Sequence, residues 1–286
     1  MHNIIGIGNM CFVLISRIEE ELSNDKARRG RIQNRFGGVT YNILRQLREY
    51  DLCGCSFISV LSNDPIGKSA QNELKSRAID FSDSLFAENW DSYFVETISP
   101  SGHYGIEQMS MLQRLTPETL HPKIDMINKY EALIIDLNLP DESLAFLAKN
   151  SKIPIFCDGT SDTLCKKVLP ILPYVSVLKL NRQEACLLCG LEDSADIDAI
   201  ISKMQKLPIS QTFVTLGKDG SVFISPTASV FHKVEPKNCS NVLGAGDAYT
   251  AGLVAGKLAG LHEKEIMAYA SSLAKQVLQR NNRTQY

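Results

Sequence analysis

The sequence predicts an α/β protein, a doubly wound, mainly parallel sheet with helices on both faces, plus a small β lid. Three observations carry this expectation. Short apolar runs rich in β-branched residues recur at ALIIDLNL (132–139), PIFCDG (154–159), VSVLKLN (175–181) and TFVTLG (212–217). Helical stretches separate them, as right-handed crossovers between parallel strands require. Two stretches in the first half of the chain break this pattern and read as insertions.

Taken in order, NIIGIG at residues 3–8 is the first core strand. The segment that follows, up to Arg35, is polar and charged, and RIEEELSNDKARRGR shows neither a strand nor a helix period. Gly37-Gly38 then form a turn that feeds an amphipathic helix, with Ile43, Leu44, Leu47 and Tyr50 on one side. YFVETISPSGHYGIEQM (93–109) alternates on both sides of Ser-Pro-Ser-Gly, the pattern of a hairpin. Parts of residues 12–36 and 90–109 are therefore expected to build the lid. No repeat, Pro-rich linker or low-complexity run marks a second folding unit.

Composition excludes several functions. Thirty Lys+Arg against thirty-two Asp+Glu give a net charge of −2, and the charges are scattered. No field of that kind draws a protein to a nucleic acid polymer or an anionic membrane. No apolar stretch reaches the ~20 residues of a spanning helix, and MHNIIGIGNM lacks the basic start and apolar core of a secretory signal, so a cytoplasmic location is expected. Of eight cysteines, only Cys186 and Cys189 form a CxxC, in a helical EACLLCG without a second pair or a histidine, so both are expected to be free thiols. GIGNMC lacks the third glycine of a dinucleotide-binding GxGxxG loop.

The segment NVLGAGDAYTAGLVAGKLAGL (241–261) carries the most chemistry. Gly244, Ala245 and Gly246 let a phosphate approach successive backbone N–H groups at a helix N-terminus, where the dipole adds about half a positive charge. Asp247 beside them can take a proton from a hydroxyl, although an Asp there also serves as an ordinary cap. Phosphoryl transfer needs little more than alignment, charge neutralisation and such a base.

GAGDAYTAG resembles the C-terminal signature of the ribokinase-like (PfkB) carbohydrate kinases, and FGGVTYN (36–42) resembles their N-terminal glycine signature. NDPIGKSAQNELKSRAIDFS (63–82), LKLNRQEA (178–185) and VTLGKDGSVF (214–223) are similar to further family segments, so the resemblance spans residues 1–286 as one kinase domain. Within the family, YGIEQMSMLQRLTPETL, LIIDLNLPDESL and IFCDGTSDTLCKKVLPILPYVSVLKLNRQEA look most like pseudouridine kinases. The resemblance implies transfer of the ATP γ-phosphate to the ribosyl 5′-hydroxyl of pseudouridine, with Mg2+ as cofactor and a monovalent cation left open as activator. Paired lid edges and an apolar lid face further suggest a homodimer.

Carried over position by position, the resemblance makes Asp247 the catalytic base and the amides of Gly244, Ala245 and Gly246 an anion hole. Asn181 and Glu184, in NRQE, match the element that holds hydrated magnesium and the nucleotide phosphates. Thr215, Gly217, Lys218 and Gly220 fall in the ATP-side loop, and Asn9, Gly37, Gly38, Asn42 and Asn138 match ribose-contacting positions. The chain departs from the family where Cys11 replaces a sugar-gripping Asp, a loss of charge-assisted hydrogen bonds worth about 1.5–3 kcal/mol. Gln108 stands where an Asp precedes Met109, Gly159 where proline follows Asp158, and Leu243 where threonine precedes GAGD. This drift leaves open a kinase for another nucleoside or furanose sugar, or a weakly active nucleotide-binding relative.

Overall fold

The apolar runs become neighbouring strands of one sheet in the computed structural model, which describes residues 2–19, 29–235 and 242–283. The first half contains β1 (His2–Ile7), β2 (Cys11–Ile18), β3 (Gly30–Gly37), α1 (Val39–Glu49), β4 (Cys53–Ile58), β5 (Val60–Ser62), α2 (Pro65–Ser76), β6 (Ile79–Asp80), β7 (Leu85–Ala87), β8 (Ser92–Ser99) and β9 (Gly102–Met109). The second contains α3 (Pro117–Leu120), α4 (Ile124–Ile127), β10 (Ala132–Ile135), α5 (Asp141–Asn150), β11 (Ile155–Asp158), β12 (Val177–Asn181), α6 (Arg182–Cys189), α7 (Ile197–Met204), β13 (Thr212–Thr215), β14 (Ser221–Ser225), β15 (Ala228–His232), α8 (Ala245–Leu258) and α9 (Glu263–Arg283).

The large sheet runs β15-β14-β13-β12-β11-β10-β1-β4-β6 and is parallel except for β14 and β15 at one edge. β1 lies inside it, with Ile4, Ile5 and Ile7 wholly buried, because a strand covered on both faces must be apolar on both. The chain leaves β1 toward β4 and β6 on one side and returns to β10 through β13 on the other. That reversal opens a crevice beyond the carboxyl ends of β1 and β10, where open α/β sheets bind ligands.

A four-stranded sheet, β3-β2-β8-β9, supplies the expected small second layer. The hairpin expected at 93–109 is β8 and β9, turning at Pro100-Ser101. The polar segment before Arg35 differs from its reading as irregular chain, since Gly30–Gly37 pairs with Cys11–Ile18 along its whole length. Nearly every residue of β3 is exposed, so no face of it carries the apolar alternation that marks a strand. The part of the expected lid at 20–28, and Cys239, lie outside the described residues.

Helix α1 buries Ile43, Leu44 and Leu47 as its period requires. Cys186 is buried and Cys189 partly so, both as free thiols. Helices α8 and α9 cross closely because α8 is built of small residues, and a Cβ on Gly252 would lie 2.4 Å from Cα of Ala270. Gly252→Ala would gain about 1 kcal/mol of helix propensity. The clash is with backbone that cannot swing aside, so we expect a net loss of about 1–3 kcal/mol, read as a lowered midpoint in a thermal melt.

Candidate active site

Strands of the large sheet end in polar residues along one edge, and those residues assemble the site. At its centre Asp136, just beyond β10, has no exposed surface. Its Oδ2 accepts from the Asn9 backbone N–H (3.1 Å) and Thr40 Oγ1 (3.5 Å). Its Oδ1 accepts from the backbone and side-chain N–H groups of Asn138 (2.9 and 2.8 Å). One carboxylate thus ties together the ends of β1 and β10 and the start of α1.

Gly38 is the N-cap of α1 with φ 115°, and a Cβ there would lie 2.3 Å from the Asn9 carbonyl oxygen, so only glycine lets α1 begin against β1. One turn on, Asn42 Nδ2 donates to Asp247 Oδ2 at 2.8 Å. The N-termini of α1 and α8, 205 residues apart for this pair, therefore meet at one carboxylate. Gly244 caps α8 in the left-handed conformation, φ 79°. The Ala245 N–H is taken by the Val242 carbonyl (3.1 Å), and Ala248 N–H by Gly244 (3.1 Å). Among the described residues the amides left open are those of Gly244, Gly246 and Asp247, a set shifted from the Gly244–Ala245–Gly246 expectation by that internal turn.

Burial pushes the Asp247 carboxyl up to about 7; Asp158 adds to the rise, and Lys179, Asn42 and Arg45 oppose it. Beneath the start of α8 lies a buried pair, Lys179 Nζ to Asp158 Oδ2 at 3.3 Å, with Thr250 Oγ1 donating to the same oxygen at 2.6 Å. The Lys179 ammonium is 3.1 Å from where a Cβ on Gly246 would stand. Burial alone would lower Lys179, but the carboxylates of Asp158, Glu184 and Asp247 outweigh it and hold it above its ordinary value.

Asn181 and Glu184 close a capping box at the start of α6, each side chain bonded to the other's backbone N–H at 2.8 Å. This leaves Glu184 Oε1 as the carboxylate oxygen without a hydrogen bond among the described residues. Burial raises the Glu184 carboxyl, Lys179 opposes this and Asp158 adds to it. Asp158 and Glu184 share one ammonium, which leaves this corner with an excess of negative charge that suits a divalent cation. Among the described residues no three His, Cys, Asp or Glu side chains converge as a set of direct ligands.

On the opposite side of the crevice, Asn9 is buried with its amide already engaged, donating to Met109 Sδ (2.7 Å) and accepting from Ser92 (2.9 Å). It joins the large sheet to the small one. Cys11 opens β2, buried beside Gly37, and burial with the nearby Asp136 charge pushes its thiol up to about 12, so it stays neutral. Gln108 is not brought to these residues. It pairs with Tyr93 one residue away from the Ser92–Met109 pair, so strand alternation turns it to the outer face, where its amide reaches Asp91. Trp90 is packing, buried and edge-on to Phe36 at 5.8 Å.

Thr215 ends β13, its hydroxyl directed to the Leu180 carbonyl at 3.4 Å. Gly217, Lys218 and Gly220 form the turn to β14, both glycines with positive φ and Lys218 exposed. Sequence reasoning passed over Asp136, Asp158, Lys179 and Thr250. For Asp136 and Asp158 the available signal was an aspartate at or just past the end of an otherwise apolar parallel strand, as in LIID and IFCD; for Lys179 it was a charge inside the apolar VLKLN, and Thr250, on α8, gave none.

Known proteins share this architecture. Pseudouridine kinase of Escherichia coli (strain K12) is 26% identical over 285 residues, covering 96% of this chain and 90% of that protein. Arabidopsis thaliana ribokinase, in a structure complexed with ribose and ATP, superposes with a TM-score of 0.85 at 19% identity, covering 98% and 93% of the two chains. Adenosine kinase from Schistosoma mansoni, in complex with 2-fluoroadenosine, gives 0.81 at 17% identity, covering 96% and 94%. The family model for pfkB family carbohydrate kinases matches residues 1–285, and with a ribokinase-like fold around this crevice the chain belongs to that family, as a phosphotransferase acting on an alcohol group.

Proposed function

We propose that this protein transfers the γ-phosphate of ATP to the ribosyl 5′-hydroxyl of pseudouridine, with Asp247 as general base. The observation that carries the reading is the Asn42–Asp247 bond at the meeting of two helix N-termini. It occupies Oδ2 and leaves Oδ1 for the acceptor hydroxyl. The similarity to pseudouridine kinase over 96% of the chain supports this acceptor. The neutral Cys11 favours a second reading, a kinase for another nucleoside or furanose sugar, because a thiol cannot grip two hydroxyls as a carboxylate does.

In this mechanism the acceptor oxygen bonds to the γ-phosphorus as its proton passes to Asp247 and the bond to the ADP oxygen breaks. The open amides of Gly244, Gly246 and Asp247, with the positive end of α8, take the charge on the transferring group. Glu184, with Asn181 beside it, would hold a hydrated Mg2+, which would supply charge neutralisation at the nucleotide phosphates. Thr215, Gly217, Lys218 and Gly220 border the nucleotide, and Gly37, Gly38, Asn42 and Asn138 border the sugar. Asn9 positions the small sheet, which serves as a lid over the sugar.

The lid's outer face carries Ile32 and Ile106, each 73% exposed, and Tyr104, 54% exposed, in cross-strand rows with Ser16, Thr97 and Val95. We infer that a second copy covers it, forming a homodimer. Sedimentation at micromolar concentration should give a dimer that Ile32→Arg with Ile106→Arg converts to monomer. A wild-type monomer would overturn this.

A base that must be ionised loses activity as it gains a proton, so kcat/KM should fall about tenfold per pH unit below about 7. Asp247→Asn should cut turnover by about 10²-fold or more and abolish that limb. The raised folded value also means that ionised Asp247 opposes folding, increasingly as pH climbs from the ordinary carboxylate range to about 7. The Asn variant should therefore melt higher than wild type at pH 8 and lose that advantage below pH 4. A flat pH profile would remove Asp247 from the mechanism.

Substrate choice is settled by ATP consumption with pseudouridine, uridine, adenosine, ribose and fructose 6-phosphate, with Asp247→Asn as blank. Turnover on pseudouridine alone is expected. Cys11→Asp should lower the acceptor KM by about ten- to a hundredfold if the sugar still sits as in the family. An unchanged or higher KM would show a rebuilt pocket.

A further inference from the structure

Two arginines beside the crevice, Arg45 on α1 and the exposed Arg35 on β3, have no anionic partner among the described residues. Arg45 lies three residues after Asn42 on α1, hence on the same helix face, one turn below the bond to Asp247. Its Nε is buried and has no hydrogen-bond partner, and its guanidinium lies 6.0 Å from the Tyr41 ring centroid. Arg35 lies on β3 two residues before Gly37 and opposite Val13, on the face of the small sheet that also carries Cys11. Neither arginine makes an ion pair or a side-chain hydrogen bond with any described residue.

Their neighbours do not supply the missing acceptor. Glu73 is bonded to Tyr41 (2.7 Å) and Arg77 (2.7 Å), and the Asp247 oxygen nearest α1 is bonded to Asn42. Glu96 and Glu107 lie along the same face of the small sheet as Arg35 without pairing with it. The two guanidinium groups act on one another: Arg35 has an exposed side chain, yet partial desolvation lowers it, Arg45 lowers it further, and Asp247, Cys11 and Glu96 oppose this. Two like charges held near each other beside a catalytic carboxylate lack only an anion, and the planar fork of arginine matches phosphate oxygens.

We propose that Arg35 and Arg45 form a phosphate-binding subsite beside Asp247. It rests on the kinase reading for its purpose, but its binding chemistry stands apart from turnover. The phosphate is either the group in transfer, seated here as it becomes the product's ester, or one already carried by the acceptor.

The probe is inorganic phosphate, titrated into the full chain and followed by calorimetry and thermal shift. Wild type should bind it, and Arg45→Met and Arg35→Met should each weaken binding by about tenfold or more, with Arg45→Lys in between. Circular dichroism melts without phosphate verify that each variant is folded. In turnover assays, a kcat lowered about 10²-fold at constant acceptor KM places the group in transfer, and a raised KM confined to phosphorylated sugars places it on the acceptor. Either supports the subsite. Phosphate binding through the two arginines without any ATP-dependent transfer would overturn the kinase reading and leave the subsite standing. Equal phosphate affinity in wild type and both Met variants overturns the subsite.

Discussion

A single carboxylate without solvent exposure holds one side of the crevice in register. Asp136 receives hydrogen bonds from two segments that are remote in sequence, at Asn9 and Thr40, and from Asn138 in its own turn, and each bond fixes one wall of the crevice. A polar group so deeply buried is tolerated only when its oxygens are satisfied. The ends of β1 and β10 and the first turn of α1 therefore cannot drift apart without leaving it unpaired. Asn9, Gly38 and Asn138 are where they are because of this constraint, and the Asn42 that reaches Asp247 is one turn further along the same helix.

The side of the crevice beneath α8 is organised by the opposite device. Here one ammonium, Lys179, is shared among Asp158, Glu184 and Asp247, too little charge to neutralise all three. Burial and the neighbouring Asp158 charge keep Asp247 close to its titration point, and the carboxylates of Asp158 and Glu184 give the corner its appetite for a cation. A corner of this kind trades folding stability for reactivity, a frequent bargain in active sites. The two sides thus differ in character, one closed and satisfied, the other electrostatically unfinished.

The parallel sheet was legible in the sequence because burial on both faces forces continuous apolar runs, and the strands at 132–135, 155–158, 177–181 and 212–215 lie within those runs. The glycine turn before α1 and the GAGD start of α8 were legible because backbone geometry leaves few alternatives. β3 was not, because a strand with neither face covered has no pattern to show. Nor could a sequence reveal that the Ala245 amide is spent internally or that Gln108 turns outward, since both depend on the register of a single residue. Asp158 and Lys179 were visible as charged interruptions in apolar strands, but their pairing is a product of two neighbouring strands and not of either segment.

The small sheet has a consequence for how the molecule is made. Its central contact is the parallel pairing of β2 with β8, which joins Phe12 to Tyr93 across a span that contains α1, β4 and α2. Bringing such distant segments together carries a loop-closure cost that local hairpins avoid. A chain emerging from the ribosome can form the hairpin of β2 and β3 early, but that hairpin has no partner until the residues of β8 have been synthesised. The floor of the crevice waits longer still for Asp136, and its catalytic end for Asp247. Folding order and the proposed function are thereby coupled: the hairpin of the small sheet is among the first pieces available, and Asp247, the proposed base, is among the last.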